Sequence, residues 1–309
     1  MRRAPLGALA VLVLLAGCGE TGLSSTPPPA SSDGVLQASN GPVAPAPGPR
    51  PLAVDLADAD DPVVVDFAHP PSSGLLFDLD TGEVLWRREP ERVLPIASLT
   101  KMMTALLVVH ATAPKDEIAI PRGRYYEGSA VGVLPGGKHV RAETLLYGLL
   151  LPSGNDAAHA LARHVGGSEE GFLDLMNQHA AELGLRCTRY ASPDGIVDEG
   201  NHSCAVDLAA EARAILDQPR LAKIVGSRSA VEPLPIKGGK VWLYNNNPLY
   251  RLGYPGTIGV KTGYTDLAGH CLVAAVRRHG RRLGVILLHS PDTGRQAKRL
   301  LNAGFRAAS

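Results

Sequence analysis

The chain has 309 residues, 45% of them hydrophobic and 20% charged, enough to bury at least one sizeable core. Lysine and arginine total 31 against 30 aspartates and glutamates, so the net charge is +1, and aromatic residues make up 5%. Holding nucleic acid takes many phosphate-neutralising cations and often a stacking platform, so these figures argue against a nucleic-acid binder. No series of long apolar stretches marks a polytopic membrane protein either.

The first residues read as an address. Two arginines precede an apolar run over 6–16. That run is shorter than the roughly 20 residues that cross a bilayer, and it has the length of a signal-peptide core. Leu15-Ala16-Gly17-Cys18 resembles the bacterial lipobox, in which the signal is cut before a cysteine that becomes lipidated. Residues 1–17 are therefore expected to be a lipoprotein signal peptide, with Cys18 lipidated and the protein held on the outer face of the cell membrane. An ordinary secretory signal ending near a cysteine is the alternative. Residues 18–60 are rich in Pro, Ser and Ala, with Pro27-Pro28-Pro29 among them. Such a stretch cannot bury enough apolar surface to offset its ordering entropy, so it reads as a tether. The folded domain is expected over 61–309.

Residues 73–77 and 83–87 are apolar runs around Asp80-Thr81-Gly82, a β-hairpin signal. A helix from Ser98 carries Met102, Met103, Ala105, Leu106, Val108 and Val109 on nearly every side, which predicts burial in the core. Helical patterns follow over 142–151, 156–165, 171–183 and 206–216. Strands return over 258–264, 270–277 and 282–289, the last two joined at His279-Gly280, and 292–307 reads as a closing helix. Strands at both ends with helices between them predict an α+β fold, one sheet built from both ends of the domain with a helical lobe inserted.

Chemistry gathers in short words. In Ser98-Leu99-Thr100-Lys101 the serine and lysine lie one helical turn apart on one face. Pro95 places Ser98 near the helix start, where free N–H groups favour developing negative charge. An apolar helix would desolvate Lys101 and lower its pKa toward that of a useful base. The same spacing also suits a capping serine and a snorkelling lysine, and average composition produces it about once in a chain of this length. Ser153-Gly154-Asn155 follows Pro152 between two helical patterns and could relay a proton and hold an amide, or could simply cap the next helix. Lys261-Thr262-Gly263 lies on a strand, where a glycine lets a ligand approach the backbone.

In this order the three words resemble those of penicillin-binding proteins and serine β-lactamases. The words around them resemble the low-molecular-mass D-alanyl-D-alanine carboxypeptidases. They are Pro95-Ile96-Ala97 before Ser98, Leu149-Leu150-Leu151-Pro152 before Ser153, Ser192-Pro193-Asp194-Gly195, and Tyr254-Pro255-Gly256 before Lys261. The resemblance implies an antiparallel five-stranded sheet with flanking helices. It implies a serine peptidase that removes the terminal D-Ala from peptidoglycan stem peptides ending in D-Ala-D-Ala, with β-lactams as covalent inhibitors. Ser98 would be the nucleophile, Lys101 the general base and Ser153 the proton relay. Asn155, Lys261, Thr262, Gly263 and Tyr264 would bind substrate, and backbone N–H groups of Ser98 and Tyr264 would form the oxyanion hole. Arg295 would add a guanidinium to the terminal carboxylate. No cofactor and no metal are expected.

The chain has no Glu-x-x-x-Asn word between the second and third motifs, and class A β-lactamases use such a glutamate for deacylation. A β-lactamase therefore stands as a rival, as do a D,D-endopeptidase using the same site and a catalytically idle peptidoglycan-binding lipoprotein. An exported chain permits disulfides, and Cys187 and Cys204 flank one connecting segment, so a bridge between them is one possibility, with Cys271 a buried strand thiol. His159 and His164 read as surface residues.

Overall fold

The structure is a computed structural model that describes residues 52–57, 61–123, 126–128, 130–131 and 134–307. The expected signal peptide, Cys18 and most of the expected tether lie outside the described residues. Residues 52–57 belong to the folded body: Val54 is buried, Asp55 bridges to Glu83, and the Arg213 guanidinium donates to the Ala53 carbonyl. Packed structure thus reaches upstream of residue 61, because Val54 has an apolar surface to cover. Among the described residues no helix is long and apolar enough to cross a membrane.

The chain opens with the expected hairpin, β1 (Ser73–Asp78) and β2 (Val84–Arg88). The short strand β3 (Leu94–Pro95) leads into a 3-10 turn, Ala97–Thr100, and then α1 (Lys101–Ala111). Short strands β4 (Glu117–Ala119) and β5 (His139–Arg141) precede α2 (Ala142–Leu150), α3 (Asn155–Gly166) and α4 (Glu169–Glu182). Strand β6 (His202–Ser203) pairs with β3. Helices α5 (Ala205–Asp217) and α6 (Pro219–Val225) lead to a second hairpin, β7 (Ser229–Pro233) and β8 (Lys240–Tyr244). The chain closes through α7 (Pro248–Arg251), β9 (Thr257–Thr265), β10 (Gly269–Arg278), β11 (Arg281–Ser290) and α8 (Thr293–Ala307).

The main sheet has the order β2-β1-β11-β10-β9, all antiparallel. Its central strands are buried on both faces, which explains their unbroken apolar runs. Side chains alternate between the faces as the period of two requires. Leu75, Phe77, Val273, Ala275, Ile286 and Leu288 join the core shared with α1, α3 and α5. Leu76, Leu272, Ala274, Val276, Val285 and Leu287 join the smaller core under α8 with Ala297, Leu300 and Leu301. Burying a side chain of this size stabilises by about 1.5–3 kcal/mol, so the apolar stripe carries most of the hold on α8. Gln296 and Arg299 add hydrogen bonds to the His69 and Asp66 carbonyls, and Asn302 accepts one from the Tyr254 hydroxyl. The opposite side of the sheet carries the helical lobe, and the seam between the lobe and edge strand β9 is where the motif residues meet.

The helix expected from Ser98 begins as a tighter turn. The Thr100 hydroxyl donates to the Ala97 carbonyl at 2.9 Å, and Ala97 itself is left-handed with φ +49°, so regular α-helix starts only at Lys101. The second hairpin and α6 had no counterpart in the sequence reading. The hairpin's strands are five residues each, one ends in Pro233, and they are joined by a loop rather than a two-residue turn. Cys187 and Cys204 are joined by a disulfide, with Cα atoms 5.6 Å apart, which ties the segment after α4 to the start of α5.

Candidate active site

Ser98 sits in the 3-10 turn and Lys101 is the first residue of α1, so the i,i+3 spacing brings their side chains together. Lys101 Nζ lies 2.8 Å from Ser98 Oγ, 2.6 Å from Asn155 Oδ1 and 2.6 Å from the Asp194 carbonyl oxygen. These three acceptors account for all three donors of an ammonium. In the unprotonated form two N–H groups still serve Asn155 and Asp194, and the lone pair is left to accept the Ser98 hydroxyl proton. The local geometry is thus that of a base aimed at a nucleophile.

Lys101 is 0% exposed. Burial pulls it down to about 8, although the charges of Asp194 and Asp156 favour the ammonium. Asp194 shows the opposite balance. Burial pushes it up, but the His159 hydrogen bond, the Lys101 charge and the Ile196 N–H hold its carboxyl below the ordinary range. A base near neutrality is the result of one desolvated cation held mainly by neutral oxygens.

The second and third motifs meet across the seam. Lys261 Nζ donates to Ser153 Oγ and to its own neighbour's Thr262 carbonyl, both at 2.8 Å. Lys261 is 1% exposed; burial, and then the charge of Lys101, lower its pKa well below the usual lysine value. Ser153 is left-handed, with φ +71°, which turns its hydroxyl back toward β9 at the cost of about 1–3 kcal/mol of backbone strain. Asn155 is 2% exposed and spends its amide on Lys101 and on the Glu127 carbonyl.

Gly263 is where β9 touches the nucleophile turn. A Cβ there would lie 2.8 Å from the Ile96 carbonyl oxygen and 3.1 Å from the Ser98 nitrogen. Only glycine lets the strand run this close, and Tyr264 follows it on the cleft rim with its ring against His270 and its hydroxyl donating to Asp266. Gly195 does the same on the other side: φ is +78°, and a Cβ would overlap the Ala97 carbonyl. Ser98, Ser153, Asn155, Thr262, Gly263 and Tyr264 line one cavity of about 720 Å³. Residues from 98 to 264 are gathered there by the sheet edge and the lobe.

Arg295 stands apart. Its side chain is 85% exposed, pairs with Asp292 at 3.4 Å, and lines an adjoining cavity rather than the one that holds Ser98. Arg251, at the end of α7, lines both cavities and is the guanidinium nearer the motif residues' cavity. Its only sequence signal was a position in a loop before the third motif. The sequence reading also placed His159 on the surface, and the structure corrects this. Its side chain is 13% exposed and contacts Asp194, because the 192–195 loop and α4 close over that turn of α3, whereas His164 is exposed. A signal existed, since residue 159 lies one turn after Asn155 and so shares its face. Cys271 also borders the main cavity; burial pushes its thiol up to about 12. Among the described residues, the one trio spaced like metal ligands is Cys187, Cys204 and Asp207, and two of these are spent in the disulfide.

The sequence profile of the D-alanyl-D-alanine carboxypeptidase family matches residues 63–291. The D-alanyl-D-alanine carboxypeptidase DacF of Bacillus subtilis is 35% identical over 223 residues, 70% of this chain and 57% of that protein. DacB2 of Mycobacterium tuberculosis is 36% identical over 245 residues, 76% of this chain and 82% of that protein. The crystal structure of a D-alanyl-D-alanine carboxypeptidase from Mycobacterium tuberculosis superposes with a TM-score of 0.73 at 33% identity, covering 79% of this chain and 94% of that one. The chain thus spans a little over half of the Bacillus relative and most of the mycobacterial one.

Proposed function

The chain belongs to the D-alanyl-D-alanine carboxypeptidase family, and from that premise we propose that it is a serine-type hydrolase removing the terminal D-Ala from peptidoglycan stem pentapeptides. The observation that carries this reading is the contact of Lys101 Nζ with Ser98 Oγ at 2.8 Å, beside a second lysine–serine pair, Lys261 and Ser153, with both serines lining one cavity.

In this reading Ser98 Oγ attacks the carbonyl of the penultimate D-Ala while its proton passes to Lys101. The oxyanion that forms is met by the backbone N–H groups of Ser98 and Tyr264. The C–N bond then breaks as Ser153 relays that proton to the leaving D-Ala amine, giving up its own and taking the one Lys101 had accepted, with Lys261 holding the Ser153 hydroxyl in place. Water cleaves the Ser98 ester and regenerates the free serine. The Thr262 hydroxyl and the charge of Lys261 or of Arg251 receive the terminal carboxylate, since an anion leaving water needs charge-assisted hydrogen bonds. A β-lactam acylates Ser98 by the same attack, and the lack of a Glu-x-x-x-Asn word supports a slowly hydrolysed ester rather than β-lactamase turnover.

Mass spectrometry of a muropeptide digest tests the substrate. Pentapeptides are expected to lose one D-Ala each; cleavage of cross-linked dimers with pentapeptides left intact would make the protein an endopeptidase instead.

Anchoring through a lipid on Cys18 is part of the same proposal, supported by the apolar run over 6–16 and the Leu15-Ala16-Gly17-Cys18 word. It places the site outside the cell membrane, where stem peptides are exposed. The mature N-terminal peptide is expected to begin at Cys18 and to carry acyl mass. An unlipidated N-terminus, or one beginning elsewhere, would sink that part of the reading.

A further inference from the structure

Helix α3 presents Asn155, His159 and Arg163 at every fourth position, so the three form one stripe. Asn155 serves Lys101, as described. One turn on, His159 Nε2 lies 3.2 Å from Asp194 Oδ2 and Nδ1 lies 3.1 Å from Glu169 Oε1. The imidazole stacks on Tyr126, with ring centroids 4.2 Å apart and planes 13° from parallel. Arg163 donates to the Tyr126 hydroxyl at 2.6 Å and pairs with Glu169. Asp194 is the residue whose main-chain carbonyl receives Lys101. The oxygens of that one residue are therefore divided: its carbonyl goes to the lysine and its carboxylate to the histidine.

We propose that His159 is a positioning residue for acylation of Ser98, holding the Asp194 carboxylate on the α3 side so that Lys101 meets a neutral carbonyl instead. It also braces Tyr126, and with it the Glu127–Gly128 wall that accepts from Asn155 and lines the cavity. This rests on the reading of Lys101 as the base. An amine among neutral oxygens gives up its extra proton more readily than one paired with a carboxylate. Among the described residues the cation that acts on the buried Asp194 carboxylate besides His159 is Lys101. Without His159 the carboxylate turns to that lysine, and pairing with it keeps the lysine protonated. The charged and titratable groups facing His159 are Asp194 from the 192–195 loop, Glu169 from α4, Tyr126 from the cavity wall and Arg163 from α3 itself. Lys101 stands behind Asp194, and Asp156 acts on Lys101 from the start of α3.

The test is the pH dependence of the second-order rate at which a fluorescent penicillin acylates the full-length protein. His159→Leu is expected to move the acidic limb up by about one pH unit and to slow acylation at pH 7 by about tenfold. His159→Gln retains an N–H donor for the carboxylate and is expected to restore most of the limb. Asp194→Asn removes the carboxylate and is expected to move the limb down, and the double substitution should stay where Asp194→Asn alone puts it. A merely structural role would lower the plateau and the melting temperature without moving the limb. A wild-type limb near pH 8 that none of these substitutions moves, or equal effects of Leu and Gln, would overturn the proposal. If His159→Leu does not fold, the Gln variant and Asp194→Asn decide it by the same criteria. A wild-type protein that penicillin does not acylate at Ser98 would instead overturn the reading beneath it, and this proposal with it.

Discussion

Ser98→Ala is expected to abolish D-Ala release and covalent labelling by penicillin, by a factor on the order of 10⁴ or more. The size follows from the kind of step removed. Without an Oγ there is no acyl-enzyme, and oriented donors and bound carboxylate leave only the small residual rate that positioning supplies. Folding should be nearly untouched. The hydroxyl's described partner is Lys101, which keeps Asn155 and the Asp194 carbonyl, and a substitution of this kind shifts stability by roughly 1 kcal/mol or less. The assay is intact-mass spectrometry after penicillin exposure, with a thermal melt beside it. An adduct in the variant would remove Ser98 from the mechanism.

Lys101→Met should be nearly as damaging, by about 10²- to 10⁴-fold, because general-base help to the nucleophile is lost. Methionine keeps an unbranched side chain of similar length and is at ease in a helix, so the apolar surroundings of α1 are preserved. The signature lies in the pH profile. Burial lowers Lys101 to about 8, so the amine form that can accept a proton is scarce below that pH and dominant above it. Wild-type acylation should therefore climb through pH 8 and be roughly tenfold slower at pH 7 than on its plateau. The residual rate of the variant should lack that limb. A limb near pH 8 that survives in Lys101→Met would transfer the base role to another group. Lys261 is then first in line, since it too is buried and lowered.

Much of the fold was legible because its elements announce themselves locally. The hairpin at Asp80-Thr81-Gly82 has its turn chemistry in the sequence, and α1 is apolar on every side because the sheet and the rest of the lobe enclose it. The strands 258–264, 270–277 and 282–289 were readable as apolar runs, since β10 and β11 are covered on both faces. The pairing β7–β8 left no such mark: its outer face is exposed, with Val231 opposite Trp242, and a half-buried five-residue strand has too few periods to stand out.

The site divides in the same way. The sequence by itself determined which side chains can do chemistry, because reactivity needs particular groups and Ser98 and Lys101 need only one helical turn to meet. It also carried the glycine at 263, where any Cβ would strike the turn that holds Ser98. What only the tertiary structure decided is how groups far apart in the chain are shared out. Lys261 meets Ser153 across 108 residues, and Lys101 meets Asp194 across 93. Asp194 splits its oxygens between a lysine and a histidine, Arg251 takes the position by the cavity while Arg295 faces solvent, and His159 is enclosed. Apart from the helical spacing that sets His159 on the face of Asn155, no local pattern encodes these outcomes. Each depends on which surfaces the packing of sheet, lobe and loops removes from water, and removal from water is what turns a lysine into a base and a surface-looking histidine into a brace.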